Sequence, residues 1–544
     1  MCLQQLKLSV YAILILSLTS CAGSSNDGTA VQLPADEAIE LISESDGVDL
    51  NESVSEGPSE NPVSNNAETG KSGDHIYQAQ VYDLEQEIYD FSVLFEITDA
   101  HASLNEGSSV NTIVATHNDH TYAVYVDLNR RPKIVKYSHT TGEIENNFLT
   151  DLTYQTRDDD HHRWTIGIDK EGYIHVAGDM HNYAIFPGSI DHMAEQYQVG
   201  RVNYWRSNSP EDIRSFIWLG NSDTHAPQGT GHTYNNFVSD QEDNLYFYGR
   251  VANNQRQGGL PYKAYRAFNI SKYDTETQSW KSLGSQNDFL NESLFWEDNG
   301  EDGGTYSKIH AGVSFDLNNK MHVASPLLNK NISTSANHFA THVVYASSDY
   351  GVQNLRNSKG EIVHAPMRID NDGVHDQAEI VYKNESEFLA TYVSVVADYL
   401  GRPIVMLNDQ AKTGNQFVRL ENGEWVNHGD LGLSDNGESL LGNDSNMAID
   451  RMGVITIVRD YKYLTRMWTV DGQIRTITLP NMSKALKDLN IDNRHLMKTG
   501  NIIGTASRHD ASDPLQIIQI KVSRPDGYIY PFDEASSLVC LVCK

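Results

Sequence analysis

Short apolar runs, each halted by an aspartate-centred turn, recur along this chain. Val126-Asp127-Leu128-Asn129 leads into Lys133-Ile134-Val135-Lys136-Tyr137, Ile168-Asp169 into Tyr173-Ile174-His175-Val176, and Asp240-Gln241-Glu242-Asp243 into Leu245-Tyr246-Phe247-Tyr248. Phe315-Asp316-Leu317-Asn318 leads into Met321-His322-Val323, Ala397-Asp398-Tyr399-Leu400-Gly401 into Ile404-Val405-Met406, and Ile449-Asp450-Arg451-Met452-Gly453 into Ile455-Thr456-Ile457-Val458. Aspartate and glycine supply the local hydrogen bonding and positive φ that a tight hairpin needs, and runs of this length suit strands rather than helices. Six hairpins at intervals of about 40 to 80 residues, with almost no amphipathic helical pattern between them, predict an all-β fold, a β-propeller. A closing blade shared between the two ends would make it seven-bladed. A series of β-sandwiches is the alternative, disfavoured because no linker-like stretch interrupts residues 76–530.

The ends carry different signals. Lys7 and the apolar run Leu8–Leu18 read as a signal peptide, and Leu18-Thr19-Ser20-Cys21 matches the lipobox of bacterial lipoproteins, so residues 1–20 are expected to be removed and Cys21 lipidated. Residues 21–75 read as a self-repelling tether, with 12 acidic residues against Lys71 over residues 22–74. Residues 76–544 are left for the propeller and a C-terminal tail. The expected location is a membrane-anchored lipoprotein facing the periplasm or cell surface. Cys540 and Cys543 form a terminal Cys-x-x-Cys, read as a small disulfide or, preferably, an inert tail. A net charge of −32 argues against nucleic acid as a partner, and an anionic polymer would have to meet a local basic cleft.

Chemistry concentrates in two hairpins. His161 precedes the run Thr165-Ile166-Gly167-Ile168 and His181 follows Tyr173-Ile174-His175-Val176-Ala177, so a tight turn at Asp169-Lys170-Glu171-Gly172 returns both imidazoles to one rim. Tyr234 and Arg250 flank the next hairpin in the same way. Each has an ordinary reading as well: a loop-end histidine, a half-buried strand tyrosine, a surface ion-paired arginine.

The run from Arg157-Asp158-Asp159-Asp160 through His161-His162 to His181-Asn182 resembles the neuraminidase-repeat-like propellers that include the ulvan lyases of polysaccharide lyase families 24 and 25. The resemblance extends from Tyr122 to Trp280 and takes in Tyr234 and Arg250. His162 stands where those proteins more often hold Asn; of the two adjacent histidines, His161 has the fitting eight-residue distance to Asp169. The resemblance implies a lyase acting on ulvan, an algal polymer of sulfated rhamnose and glucuronate or iduronate, with His161, His181, Tyr234 and Arg250 as catalytic groups. Arg163, Asn182 and Arg266 are the candidate substrate contacts. Such chemistry requires a base, an acid and a cation for the uronate carboxylate, and no cofactor. His310, His322, His338 and His342 leave room for a structural divalent cation, with ordinary hydrogen-bonded histidines as the other reading and no ligand set assigned. A monomer is expected. A sialidase-like glycoside hydrolase and a non-catalytic glycan-binding propeller are the competing classes.

The lipobox gives a direct test. Cys21→Ser is expected to move the protein from the membrane fraction to the soluble fraction on ultracentrifugation of cells expressing it, and unchanged fractionation would refute the anchor.

Overall fold

The computed structural model describes residues 84–105, 112–150, 152–158, 161–181, 193, 195–198, 202–229, 231–253, 265–284, 293–295, 311–327, 340, 342–369, 373–374, 376–383, 389–409, 415–429, 446–458, 463–469, 474–478, 486–508 and 514–524. All belong to one compact unit, Gln78–Lys544. Cys21, Cys540 and Cys543 lie outside the described residues.

Seven antiparallel sheets form a seven-bladed β-propeller. Blade 1 is Val114–His117, His120–Val126, Pro132–Ser138 and Ile144–Phe148; blade 2 is Trp164–Ile168, Ile174–Gly178, Tyr204–Ser207 and Phe216–Trp218. Blade 3 is Thr233–Ser239, Leu245–Asn253, Tyr265–Asp274 and Ser279–Ser282. Blade 4 begins with Gly312–Phe315, blade 5 with Leu389–Ala397 and blade 6 with Asn446–Ile449. Blade 7 takes three strands from the C-terminal part, Leu486–Ile491, Ile502–Arg508 and Leu515–Ser523, and its outermost strand, Ile88–Ile97, from the N-terminal part. The first strand of each blade lines a central channel, with residues such as Ala115, Gly167, Phe237, Val313, Ser394, Met447 and Asn490 on its wall.

The aspartate turns share one geometry. The Oδ1 atoms of Asp169, Asp240, Asp316, Asp398 and Asp450 each accept from the backbone amides two and four residues on, at 2.8–3.1 Å. The residue three positions on adopts the left-handed conformation: Gly172 (φ 88°), Asp243 (65°), Asn319 (57°), Gly401 (76°) and Gly453 (73°). That conformation is why glycine, asparagine or aspartate stands there. Each carboxylate is almost wholly buried and its second oxygen has a blade-specific partner. His175 and His322 fill this role in blades 2 and 4, each at 3.3 Å and each bonded in turn through Nδ1 to a tyrosine hydroxyl at 2.7 Å, Tyr204 and Tyr345. Those two buried Asp–His–Tyr chains account for His322, and among the described residues no group of three or more metal-ligating side chains occurs. His310 and His338 lie outside the described residues.

The repeat differs from the sequence expectation in two places. Asp127 makes the same turn, with Oδ1 accepting from Asn129 and Arg131 at 2.9 Å, but it joins the second and third strands of blade 1. Its turn therefore lies at the opposite end of the blade from the other five. In blade 7 the equivalent aspartate is Asp492, where the turn is replaced by the helix Asn493–Thr499. Asp492 caps that helix by accepting from the amide of His495 at 3.0 Å, and Gly500 ends it in the left-handed conformation. Arg494 and Lys498 on the helix pair with Asp243 in the turn of blade 3 at 2.7 and 2.5 Å. The helix thus caps the turn end of the channel.

The ring is closed by strand pairing and by charge. Ile88–Ile97 pairs with Leu515–Ser523 along nearly its whole length. Beside that seam Glu87 accepts from Arg466 at 3.1 Å and Arg524 at 3.2 Å, and both arginines also reach Asp450, at 2.9 and 2.8 Å. Arg466, Glu87 and Asp450 have fully buried side chains. Removing one partner of a buried cluster leaves the others charged and desolvated, a cost of about 3–5 kcal/mol, whereas an exposed pair is worth about 0–1 kcal/mol. Glu87→Leu is therefore expected to lower the thermal unfolding midpoint markedly, while Arg214→Ala, which breaks the exposed pair with Asp212, leaves it where it was. Equal midpoints for the two variants in differential scanning calorimetry would show that the cluster does not hold the ring closed.

Candidate active site

The blade 2 hairpin delivers two imidazoles to the rim away from the helix. Trp164 pairs with Gly178 at its open end, and the amide of Asp179 donates to the carbonyl of Arg163 at 3.3 Å. Gly178 has no room for a side chain, since a Cβ there would lie 2.4 Å from the Trp164 ring. With the strands so close, His161 and His181 meet: their rings stack at 4.3 Å between centroids, 17° from parallel. His161 is exposed and His181 half-buried.

Blade 3 presents the other two groups. Thr233 pairs with Arg250, but the register then shifts before Asn236, so Tyr234 and Asn235 form a β-bulge. Tyr234 has φ 54°, unusual for a bulky residue and characteristic of a side chain re-aimed by a bulge. Asn236 anchors the far side of the bulge: its side chain accepts from the amide of Thr112 at 2.6 Å and from Thr165 Oγ1 at 3.1 Å, and donates to the Tyr248 hydroxyl at 3.0 Å. The Tyr234 ring lies edge-on to His181 at 5.8 Å and to His161 at 6.2 Å. Behind it the Arg250 guanidinium sits 4.7 Å from the ring centroid, its Nε donating to Thr233 Oγ1 at 3.0 Å. Arg250 is buried, so its cation–π contact is made away from water. The four residues of sequence interest thus form one cluster across the junction of blades 2 and 3.

The remaining sequence candidates fare differently. Arg163 is half-buried beside the histidines and its carbonyl closes the hairpin. Arg266 lies in the third strand of blade 3 with its backbone opposite Ala252, and its side chain is outside the described residues, as is Asn182 altogether.

Several residues beneath the cluster carried no role in the sequence reading. His162 is buried and donates through Nδ1 to Asp179 at 2.5 Å, and its ring is edge-on to His181 at 5.6 Å. Asp179 also accepts from the Tyr154 hydroxyl at 2.6 Å and from the amide of Arg157 at 3.4 Å. Burial, with the Asp179 charge alongside, pushes the Tyr154 hydroxyl well above the usual phenol range. The only sequence signal was position: Asp179 follows the second strand directly.

His232, two residues before Tyr234, is buried, with Nε2 donating to the Gln228 carbonyl at 2.8 Å. Burial holds its imidazole down at about 4.

Comparisons with known proteins bear on this geometry. The BNR repeat-containing family matches residues 120–429, more than half of the chain. The crystal structure of the polysaccharide lyase Uly1 superimposes with a TM-score of 0.55 at 11% identity, covering 80% of this chain and 98% of that one. A PL25 ulvan lyase bound to -[GlcA(1-4)Rha3S]- superimposes with a TM-score of 0.51 at 14% identity, covering 78% and 94%. At such identities the likeness is one of fold. No curated protein matches the sequence.

His232 yields a pH prediction. A histidine whose folded value lies below its unfolded value of about 6.5 contributes stability that is present above pH 6.5 and lost as pH falls toward 4, on the order of 3 kcal/mol for this shift. Urea unfolding followed by tryptophan fluorescence should show that loss in the wild type and a flatter profile in His232→Gln; parallel profiles would contradict it.

Proposed function

Because this chain belongs to the BNR repeat-containing family, and because four groups suited to β-elimination converge on one rim of its propeller, we propose that it is a polysaccharide lyase cleaving ulvan at 4-linked uronate. The observation that carries the proposal is the cluster itself: stacked His161 and His181 facing Tyr234, with the buried Arg250 guanidinium behind the tyrosine ring. Elimination needs a base for the C5 proton, an acid for the departing O4, and a cation that stabilises charge spreading onto the carboxylate as C5 loses its proton. The cluster contains all three classes. A guanidinium such as that of Arg250 suits a carboxylate through parallel hydrogen bonds, and the histidines and Tyr234 supply proton donors and acceptors on rings 5.8 and 6.2 Å apart between centroids.

In this reading the uronate carboxylate enters beside Tyr234, within the field of the buried Arg250 cation, Tyr234 hands a proton to O4 and the histidine pair receives or relays the proton from C5. The C5–H and C4–O bonds break, a C4–C5 double bond forms, and the proton lost at C5 balances the one gained at O4. No cofactor enters the scheme. The ulvan assignment draws on the lyase of similar fold that holds a glucuronate–sulfated rhamnose unit, and on the motifs around His161 and His181. Arg163, Asn182 and Arg266 are proposed to contact the polymer, and Cys21 to hold the protein at a membrane.

The test is ultraviolet absorbance on mixing the purified protein with ulvan, since an unsaturated uronate absorbs whereas hydrolysis or simple binding creates no such chromophore. His161→Ala, His181→Ala and Tyr234→Phe should each lose about 10²- to 10⁴-fold in turnover, the usual contribution of a proton-transfer group. Arg250→Asn should lose about 10²-fold or more, with Arg250→Lys recovering only part because an ammonium lacks the planar fork. Wild-type rates in folded Tyr234→Phe and Arg250→Asn would remove the assignment.

A further inference from the structure

A buried acid and imidazole lie directly under the stacked histidines. His181 is held between two rings, His161 parallel to it at 4.3 Å and His162 edge-on at 5.6 Å. His162 is tied by its Nδ1 to Asp179, whose side chain is wholly buried and which also accepts from Tyr154 and the Arg157 amide. Three donors converging on one carboxyl group favour its charged form. Asp179 itself holds φ 55°, a conformation that only a few residue types adopt readily.

The charges around the pair divide into two sides. Toward the protein stand Asp179, Tyr154 and His162. Toward blade 3 stands Tyr234, with the Arg250 cation behind it. At the margin Asp158 is exposed and faces His101 at 3.9 Å, the Arg157 side chain is exposed, and a second cation, Arg163, is half-buried beside the histidines. Two imidazoles stacked this closely repel each other when both are cationic, and Arg250 opposes even a single positive charge. Among these described groups, Asp179 is the buried anion that offsets both effects.

Resting on the lyase reading above, we propose that Asp179 and His162 are a positioning dyad for the His161/His181 pair. The carboxylate fixes His162 with its proton on Nδ1, sets the His162 ring against His181, and stabilises a proton on His181. The dyad touches no substrate; it sets the pH at which His181 gives up or accepts its proton. The neighbourhood also gives His162 a function that an asparagine could not fully replace.

Asp179→Asn is the informative variant, because asparagine has nearly the same shape, tolerates the left-handed conformation and still accepts a hydrogen bond, so chiefly the charge is lost. With ulvan as substrate, the limb of the kcat/KM profile governed by the pair is expected to move to lower pH by about one unit, whichever limb that is. His162→Asn keeps the Asp179 charge and is expected to lower kcat with a smaller displacement of the limb. A purely structural role would lower activity equally at all pH values. Should Asp179→Asn be too slow to profile, ¹⁵N-histidine NMR titration reads the same quantity: the protonation midpoint of His181, assigned with His181→Ala, should fall below that of the wild type. If the wild type and Asp179→Asn share the same His181 midpoint, the dyad has no such role. If the wild type forms no unsaturated product from ulvan, it is the lyase reading that fails, and the NMR comparison still decides the dyad.

Discussion

The geometry of the whole ring depends on Glu87, a carboxylate sealed between two arginines from distant parts of the chain. Propeller blades pack face to face, so an unclosed ring would uncover two blade faces, leave the outer edge of blade 7 unpaired and free the angle between blades. Backbone pairing of Ile88–Ile97 with Leu515–Ser523 closes the circle, and Glu87 fixes its seam because Arg466 belongs to blade 6 and Arg524 follows the last strand of blade 7. Two cations share two carboxylates there, Glu87 and Asp450, which keeps the buried charge balanced. Asp450 is itself one of the hairpin aspartates, so one residue serves both the blade and the circle.

That double use illustrates how the fold distributes work among its aspartates. One oxygen of each turns the backbone in the same way, while the other is released to a local partner: a histidine–tyrosine chain in blades 2 and 4, arginines in blades 5 and 6, and a tyrosine hydroxyl, Tyr246, in blade 3. The rim opposite these turns is thereby left to loops and strand ends, which can vary without disturbing the core. It is on this rim that the histidines, Tyr234 and Arg250 meet.

The turns were legible in the sequence because their chemistry is local: a carboxylate that binds amides two and four residues ahead leaves an Asp-x-x-Gly or Asp-x-x-Asn trace. What that trace lacks is position within a blade, so the Asp127 turn looked equivalent to the others though it joins a different pair of strands. Asp492 escaped notice because the helix Asn493–Thr499 stands where the next four residues of a turn would be. At the site, hairpin logic was enough to bring His161 to His181 and Tyr234 to Arg250, since strand ends must meet. The bulge at Tyr234 and Asn235 left no pattern, because Thr233-Tyr234-Asn235-Asn236 is a polar run with no apolar alternation for an extra residue to break. Nor did the support from Tyr154, which reaches Asp179 from a connection with no periodicity of its own.

The shared composition of blade 7 also governs how the molecule must assemble. Glu87 and Arg524 are 437 residues apart, so Ile88–Ile97, the first strand among the described residues, finds its partner last. Until the C-terminal strands emerge, Ile88–Ile97 has no edge to join and the nascent arc of blades carries an uncovered apolar blade face at each end, the kind of intermediate that aggregates. Completion of the ring is a late, long-range event in biosynthesis, and truncation before Leu515 deprives Ile88–Ile97 of its partner strand.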